Sequence, residues 1–309
     1  MYDVIIVGGG PIGIACALEA KKKGLSHLII EKGCIANSIF NYPLNMHFFS
    51  TSDKLEIDNI PFICKEPKPQ RNEALEYYRR IVTSNNLQIK LYEEVKEIKK
   101  SDVFHINTSK GTYTASNVII STGFYDIPNL INVPGEDLPK VSHYYREPHL
   151  YVNQKVAVIG ASNSSVDAAL ECYRKGADVT MIVRKEAIGE RVKYWVKPDV
   201  ENRIKEGSIK AYFTSELEEI KEGSVIMRTP DGSVEIENDF VLALTGYMPN
   251  FDFLKKIGVD LNEQDALKPT YNPDTMETNI DNLYLAGVIC GGMETHKWFI
   301  ENSIIHSEL

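Results

Sequence analysis

The sequence has no C-x-x-C pair and no run of His and Cys at metal-ligand spacing. Its five cysteines, Cys16, Cys34, Cys64, Cys172 and Cys290, stand singly. That excludes a vicinal dithiol and a zinc ribbon and reads as inert free thiols in a reducing compartment, so no metal site is expected. Positive charge is not in excess: 34 Lys and Arg against 43 Asp and Glu leave a net charge of −9. A nucleic-acid partner would need a basic face, so none is expected. No apolar run approaches the roughly 20 residues of a membrane-spanning helix, and no membrane partner is expected. No signal-peptide pattern precedes the first apolar segment, which opens at Tyr2, so the expected location is the cytoplasm.

What is present is a chain of 309 residues, 43% hydrophobic and 25% charged, enough for about two domains. It is organised around its opening, MYDVIIVGGGPIGIAC. A β-branched run, Val4 to Val7, ends in three glycines, and Pro11, Ile12 and Gly13 open a helical segment. Strand, tight turn and helix start give G-x-G-x-x-G (Gly8, Gly10, Gly13) a mechanism. The first glycine turns the chain, the second admits a pyrophosphate against the backbone, and the third lets helix and strand pack closely. The helix N-terminus then offers N–H groups to phosphate.

The helix is predicted over 12–23, closed by Gly24, with a second strand over 27–30 that ends at Glu31 and Lys32. A dinucleotide fold wants an acid there to accept from a ribose 2′-hydroxyl. Residues 33–69 read as a long functional loop, followed by a helix over 72–84. Alternating segments at 87–91, 94–99, 103–107 and 112–115 suggest an antiparallel meander, and a buried strand over 118–121 ends in Thr122-Gly123.

The opening design recurs at KVAVIGASNSS, from Lys155. Gly160, Ser162 and Ser165 stand in the three glycine positions, with Asn163 and Ser164 between them. A helix over 163–175 and a strand over 178–183 follow. Here the acid is missing and Arg184-Lys185 takes its place, with Arg191 and Lys193 near. A basic pair at that position favours a 2′-phosphate. Further strands are predicted over 209–213, 225–228 and 240–244 before Thr245-Gly246, which echoes Thr122-Gly123. A strand over 283–286 leads to Gly287-Val288, and a helix is expected to begin near Thr295.

The fold class is therefore α/β with two Rossmann-like dinucleotide-binding domains, the second inserted into the first. Residues 1–123 and 248–309 form the expected FAD-binding domain and 124–247 the NADPH-binding domain. FAD fits the first site, with its acid, and NADPH the second, with its base pair. The expected activity is oxidoreductase, with hydride passing from NADPH to flavin and on to an acceptor. A helix starting near Trp298 would aim N–H groups at the flavin.

These residues resemble the two-dinucleotide flavoproteins that include the low-molecular-weight thioredoxin reductases, over essentially the whole chain. Where that family carries its C-x-x-C, this chain reads VSHYYREPHLYVNQKVAVIG, so a dithiol relay is excluded. Where it has Gly-Asp, this chain has Gly287-Val288. Both departures point to a narrower resemblance, to the bacillithiol disulfide reductases. It is carried by Asn41-Tyr42-Pro43, Phe48-Phe49-Ser50-Thr51-Ser52-Asp53-Lys54-Leu55, Thr122-Gly123-Phe124-Tyr125, His143-Tyr144, Asn163-Ser164 and FIEN from Phe299. The resemblance implies a thioredoxin-reductase-like fold, FAD, NADPH, a homo-oligomer and a small-molecule or small-protein electron acceptor. It places Tyr42, His47, Phe48, Val95, Trp298 and Phe299 beside FAD, together with Pro11 and Ile12 of the turn, and Gly246 beside NADPH.

Members of that group place a cysteine within the first glycine motif, where this chain has Ile12. His143, as a proton donor, and Cys290, as a thiol outside the motif, are the catalytic candidates that remain. Two alternatives stand beside the reductase. A flavin monooxygenase has related pieces, here Pro134-Gly135 and Ser142-His143-Tyr144, without the full F-x-G-x-x-x-H pattern. A slow-turnover redox sensor or electron-transfer flavoprotein would account for the absent thiol at Ile12.

Overall fold

The computed structural model describes residues 1–308. The chain forms two compact units, one of Met1–Ile127 with Tyr247–Leu309 and one of Pro128–Gly246.

The first unit opens with β1 (Tyr2–Val7), α1 (Pro11–Lys22), β2 (His27–Ile30), α2 (Arg71–Ser84) and β3 (Ile89–Lys90). β4 (Val95–Lys100), β5 (Phe104–Thr108) and β6 (Thr112–Ile120) follow. β1 runs parallel between β2 and β6, and its residues from Val4 to Val7 are buried. That double-sided burial is why the run is continuously apolar rather than alternating. Ile14, Ala17 and Leu18 of α1 and Tyr78 and Ile81 of α2 fill one core with Ile6 and Ile29. Each large aliphatic side chain buried there contributes about 1.5–3 kcal/mol.

In this stretch two elements differ from the sequence pattern. Residues 87–91 do not join the meander: Ile89 and Lys90 pair in parallel with β2 at the sheet edge. Two residues are too few to show a period. Residues 112–115 and 118–121 are not two strands but one nine-residue strand, β6. Its first half pairs with β5 and its second half with a strand from the far end of the chain, so its pattern changes midway.

The second unit holds β7 (Val141–Ser142), β8 (Lys155–Ile159), α3 (Asn163–Arg174), β9 (Asp178–Val183), α4 (Lys197–Lys205) and β10 (Lys210–Phe213). Then come β11 (Glu216–Ile220), β12 (Ser224–Thr229), β13 (Gly232–Glu237) and β14 (Phe240–Ala243). The parallel sheet has the order β10-β9-β8-β14-β7, and β11-β12-β13 form a separate antiparallel meander. The pattern revealed only β12 of that meander. β11 and β13 are glutamate-rich and mostly exposed, which blunts their apolar signal.

Back in the first unit, α5 (Phe251–Lys256) precedes β15 (Leu283–Leu285), which joins β6, and a 3-10 turn over Val288–Gly291. The helix expected near Thr295 begins only at Ile300: α6 (Ile300–Ser303) is four residues long and gives way to a 3-10 turn, Ile304–Ser307. Gly292 (φ +55) and the hydrogen bond from the Lys297 N–H to Glu294 O (2.9 Å) hold the preceding segment in turns. The Phe299 N–H is capped by Asn302 Oδ1 at 2.6 Å, so no helix N-terminus opens at Trp298.

Two candidate dinucleotide sites

In the first unit the sheet delivers β1 directly into the glycine turn. Gly8 has φ +111, and a Cβ there would lie 2.6 Å from Ser121 O. At Gly13 a Cβ would lie 2.0 Å from Gly8 O, so α1 touches the turn that starts it. A Cβ on Gly10 would meet nothing within 4 Å: this side of the loop is open. Gly10 is also the N-cap of α1, has no side chain to cap it, and the first turn carries no acid. The free N–H groups after Pro11 and the helix dipole thus face open space, which suits a pyrophosphate.

Glu31 is 6% exposed and is held within the protein. Its two carboxylate oxygens accept from the N–H groups of Gly9 and Gly33, each at 2.7 Å, so it ties the glycine turn to the next loop. Burial pushes its pKa up, and the Gly9 and Gly33 bonds hold it down. Lys32 pairs with Asp126 at 2.7 Å. Ser121, unremarked in the sequence beyond closing a strand, donates to the carbonyls of Val7 and Gly8, both at 3.1 Å. A polar residue at the end of an apolar run was the signal for it. Thr122 follows, its buried hydroxyl without a hydrogen-bond partner among the described residues, and Gly123 has φ +72. Buried polar atoms are rarely left unmatched, and an unmatched hydroxyl beside an open anion cradle suits a polar ligand.

The Gly287 turn closes on the same cradle: a Cβ on Gly287 would lie 3.4 Å from Ile12 Cγ1. Val288 starts the 3-10 turn beyond it. Trp298 Nε1 is a second buried donor without a partner among the described residues, whereas Phe299 is exposed. Cys290 is 2% exposed and burial raises its thiol pKa well above the usual range; Cys16 is likewise buried and pushed up to about 12. Exchange needs an accessible thiolate, so neither is presented to an incoming disulfide.

The loop residues divide. Tyr42 packs edge-on against Tyr125 at 4.8 Å, and burial raises its pKa. His47 is exposed at an isolated bridge with Gln70. Phe48 is 6% exposed within the core between the helices, which makes it a packing residue. The Val95 side chain is also core, leaving its backbone at the start of β4.

The second unit repeats the design with hydroxyls. Gly160 has φ +120, and a Cβ there would lie 2.8 Å from Leu244 O. Ser165 Oγ accepts from the Ser162 N–H and donates to Ser162 O, each at 2.9 Å, filling the third glycine position. Asn163 Nδ2 donates to Arg191 O (3.1 Å) and its Oδ1 accepts from the Lys193 N–H (2.8 Å). Gly189 donates to Ala161 O at 2.9 Å. These bonds fold the basic loop back onto the start of α3, beside Ser164. Lys193 is paired with Asp167 at 2.7 Å, while Arg184, Lys185 and Arg191 are exposed and have no ion pair among the described residues. Gly246 (φ +95) accepts from the Asn129 N–H at 2.9 Å. His143 Nε2 lies 3.5 Å from Glu136, whose carboxylate also accepts from the N–H groups of Ile131 and Asn132, so His143 belongs to a loop anchor of this unit. Among the described residues no three His, Cys, Asp or Glu side chains gather as a metal site, and no helix is long and apolar enough to cross a membrane.

The profile of the pyridine nucleotide-disulphide oxidoreductase family matches residues 5–287. The bacilliredoxin reductase Bdr of Bacillus subtilis is 45% identical over 305 residues, covering 98% of this chain and 94% of that protein. The solved bacillithiol disulfide reductase Bdr (YpdA) from Bacillus cereus superposes with a TM-score of 0.97 at 42% identity, covering 99% and 96% of the two chains. The thioredoxin reductase of T. acidophilum, at 23% identity and a TM-score of 0.77 over 99% and 95% of the chains, shares the fold.

Proposed function

The chain belongs to the pyridine nucleotide-disulphide oxidoreductase family, and from that membership we propose that it reduces a low-molecular-weight disulfide of the bacillithiol type with NADPH. It is a flavin oxidoreductase. Bound in the first unit, FAD would supply the two-electron redox centre between NADPH and a disulfide. Overall, one disulfide, one NADPH and one proton become two thiols and NADP⁺.

This chain's residues divide the binding work. In the first unit, taken as the FAD domain, Gly8, Gly10 and Gly13 open the backbone to the pyrophosphate, and the first-turn N–H groups of α1 receive its charge. Glu31 keeps lone pairs for a ribose hydroxyl after satisfying Gly9 and Gly33. The Thr122 hydroxyl supplies a donor. In the second unit, taken as the NADPH domain, Asn163 holds the loop that carries Arg184, Lys185 and Arg191 where a 2′-phosphate would meet three free cations. One contrast carries the assignment: an open, uncapped cradle with a buried acid in the first unit, and exposed unpaired bases on the matching loop of the second.

Ile12 sets the chemistry apart. No thiol stands in the first glycine motif, so the acceptor disulfide is reduced without a protein mixed disulfide at that position. The homo-oligomer and cytoplasmic location belong to the same proposal, supported by the resemblance, and light scattering on the purified protein tests the first.

The test is to purify the protein, quantify flavin, and compare flavin reduction by NADPH and NADH before adding bacillithiol disulfide. Stoichiometric FAD, faster reduction by NADPH and many turnovers on the disulfide are expected. A colourless protein, or reduced flavin that never turns over on any disulfide, would sink the proposal; the second result would leave an electron-transfer or sensor role.

A further inference from the structure

Gly287 sits between two partners. On one side its Cα faces Ile12, in the first turn of α1, closely enough that a Cβ would come within 3.4 Å of Cγ1. On the other its N–H donates to Nδ1 of His306 at 3.1 Å. With φ +88, Gly287 turns its N–H in a direction that other residues rarely adopt. That N–H has no backbone acceptor among the described residues, so the bond answers for a buried donor that would otherwise be orphaned.

The acceptor is itself built in. His306 is 7% exposed, on the last 3-10 turn of the chain. Its ring stands edge-on to Trp298, with centroids 4.5 Å apart, and Cys290 Sγ lies 3.9 Å from Nδ1. To accept from Gly287, Nδ1 must carry no proton, so the neutral ring carries its hydrogen on Nε2. Ile304–Ser307 packs on α1, the helix whose N-terminus forms the cradle. A hydrogen bond therefore links the last 3-10 turn to Gly287, on the side of that residue away from the one that faces Ile12.

We propose that His306 is a positioning residue of the FAD site: it fixes the Gly287 turn against Ile12 and so sets the wall of the cradle at the start of α1. The inference rests on the assignment of FAD to the first unit. It gives the C-terminal segment a duty toward the cofactor that no glycine motif announces.

Two substitutions separate the acceptor from the ring. His306→Phe keeps an aromatic ring beside Trp298 and removes the acceptor; His306→Asn keeps an acceptor near the Nδ1 position and loses the ring. FAD affinity is read by quenching of flavin fluorescence, the visible circular dichroism of bound flavin is recorded, and thermal unfolding is followed on the apo-proteins. The expected result is about tenfold weaker FAD binding for His306→Phe, the scale of one buried unsatisfied N–H, with an altered flavin dichroism. His306→Asn should bind within about threefold of the parent even where its apo-protein melts lower. Equal FAD affinity in His306→Phe and the parent, or equal losses in both variants, overturns the inference while leaving the FAD assignment intact. A parent protein that takes up no FAD overturns both. Should His306→Phe fail to fold, His306→Gln, whose acceptor reaches past the Nδ1 position, replaces it with the same two outcomes.

Discussion

Gly13 is where helix and turn come closest, and a single methyl there has nowhere to go: its place is 2.0 Å from Gly8 O and 2.7 Å from Ser121 Oγ. Gly13→Ala is expected to lower stability by about 1–3 kcal/mol through overpacking and to leave the purified protein without flavin. A variant with parental melting temperature and full flavin would contradict that geometry. His306 gives a pH signature. Burial lowers its pKa from 6.5 to about 4, so the unfolded chain binds the proton more readily than the folded one. Its contribution is complete above about pH 6.5 and is lost as pH falls toward 4. The Cys290 thiol at its ring stays protonated throughout, because burial raises it. Unfolding midpoints measured from pH 7 to 4 should fall more steeply in the parent than in His306→Asn. Ile12→Cys is expected to keep FAD and gain a thiol that forms a mixed disulfide with bacillithiol disulfide, visible by intact-mass spectrometry. An unmodified Cys at 12 after incubation with the disulfide would show that the position is closed to substrate.

Among the elements, the loop after β9 is tied to α3 by two side chains, Asn163 and Asp167. Asn163→Ala removes both bonds to it, to Arg191 O and the Lys193 N–H, while the Lys193–Asp167 pair remains. The expected outcome is a rise in KM for NADPH of up to about tenfold with little change in kcat, since each bond contributes about 1 kcal/mol. An equal rise for NADH would place the effect on the shared pyrophosphate rather than on the 2′-phosphate. The sequence announced this loop by its charges but not by its clamp, because Asn163 meets residues far along the chain only after α3 and β9 have packed. The same holds elsewhere. Both strand–glycine–helix openings were legible because strand burial, glycine and helix start are consecutive in the chain. β6 was misread as two strands because its second-half partner, β15, comes from the far end of the chain. The helix expected at Thr295 failed for a local reason: Asn302 caps Phe299 and fixes the start at Ile300. Phe48 carried a motif's promise, and its ring lies in the core cluster with Tyr78 and Ile81. His306 left no sequence signal, since a lone histidine in a short apolar tail has no spacing to read.

For the molecule as a whole, the two units differ in how the chain builds them. Pro128–Gly246 is continuous, and its buried clusters draw on its own residues. The first unit's core joins Val118 and Ile120 to Leu254, Leu283 and Leu285 from the far end of the chain. Expressed alone, Pro128–Gly246 is expected to unfold cooperatively and to bind 2′,5′-ADP, whereas Met1–Ile127 alone should lack a cooperative transition. Circular dichroism and nucleotide titration check both, and a stable, FAD-binding Met1–Ile127 would contradict the shared core. The insertion also imposes a timetable on biosynthesis. The half of β6 that awaits β15 emerges from the ribosome long before its partner, and at about 5–20 residues per second the wait is on the order of ten to thirty seconds. Through that interval the nascent chain carries a hydrophobic strand with a bare edge, open to pairing with a neighbouring polysome product. The inserted unit can finish folding meanwhile. Cofactor loading is then expected only after β15 has emerged, and a chaperone that shields β6 should raise the yield of flavin-loaded protein more than an excess of FAD.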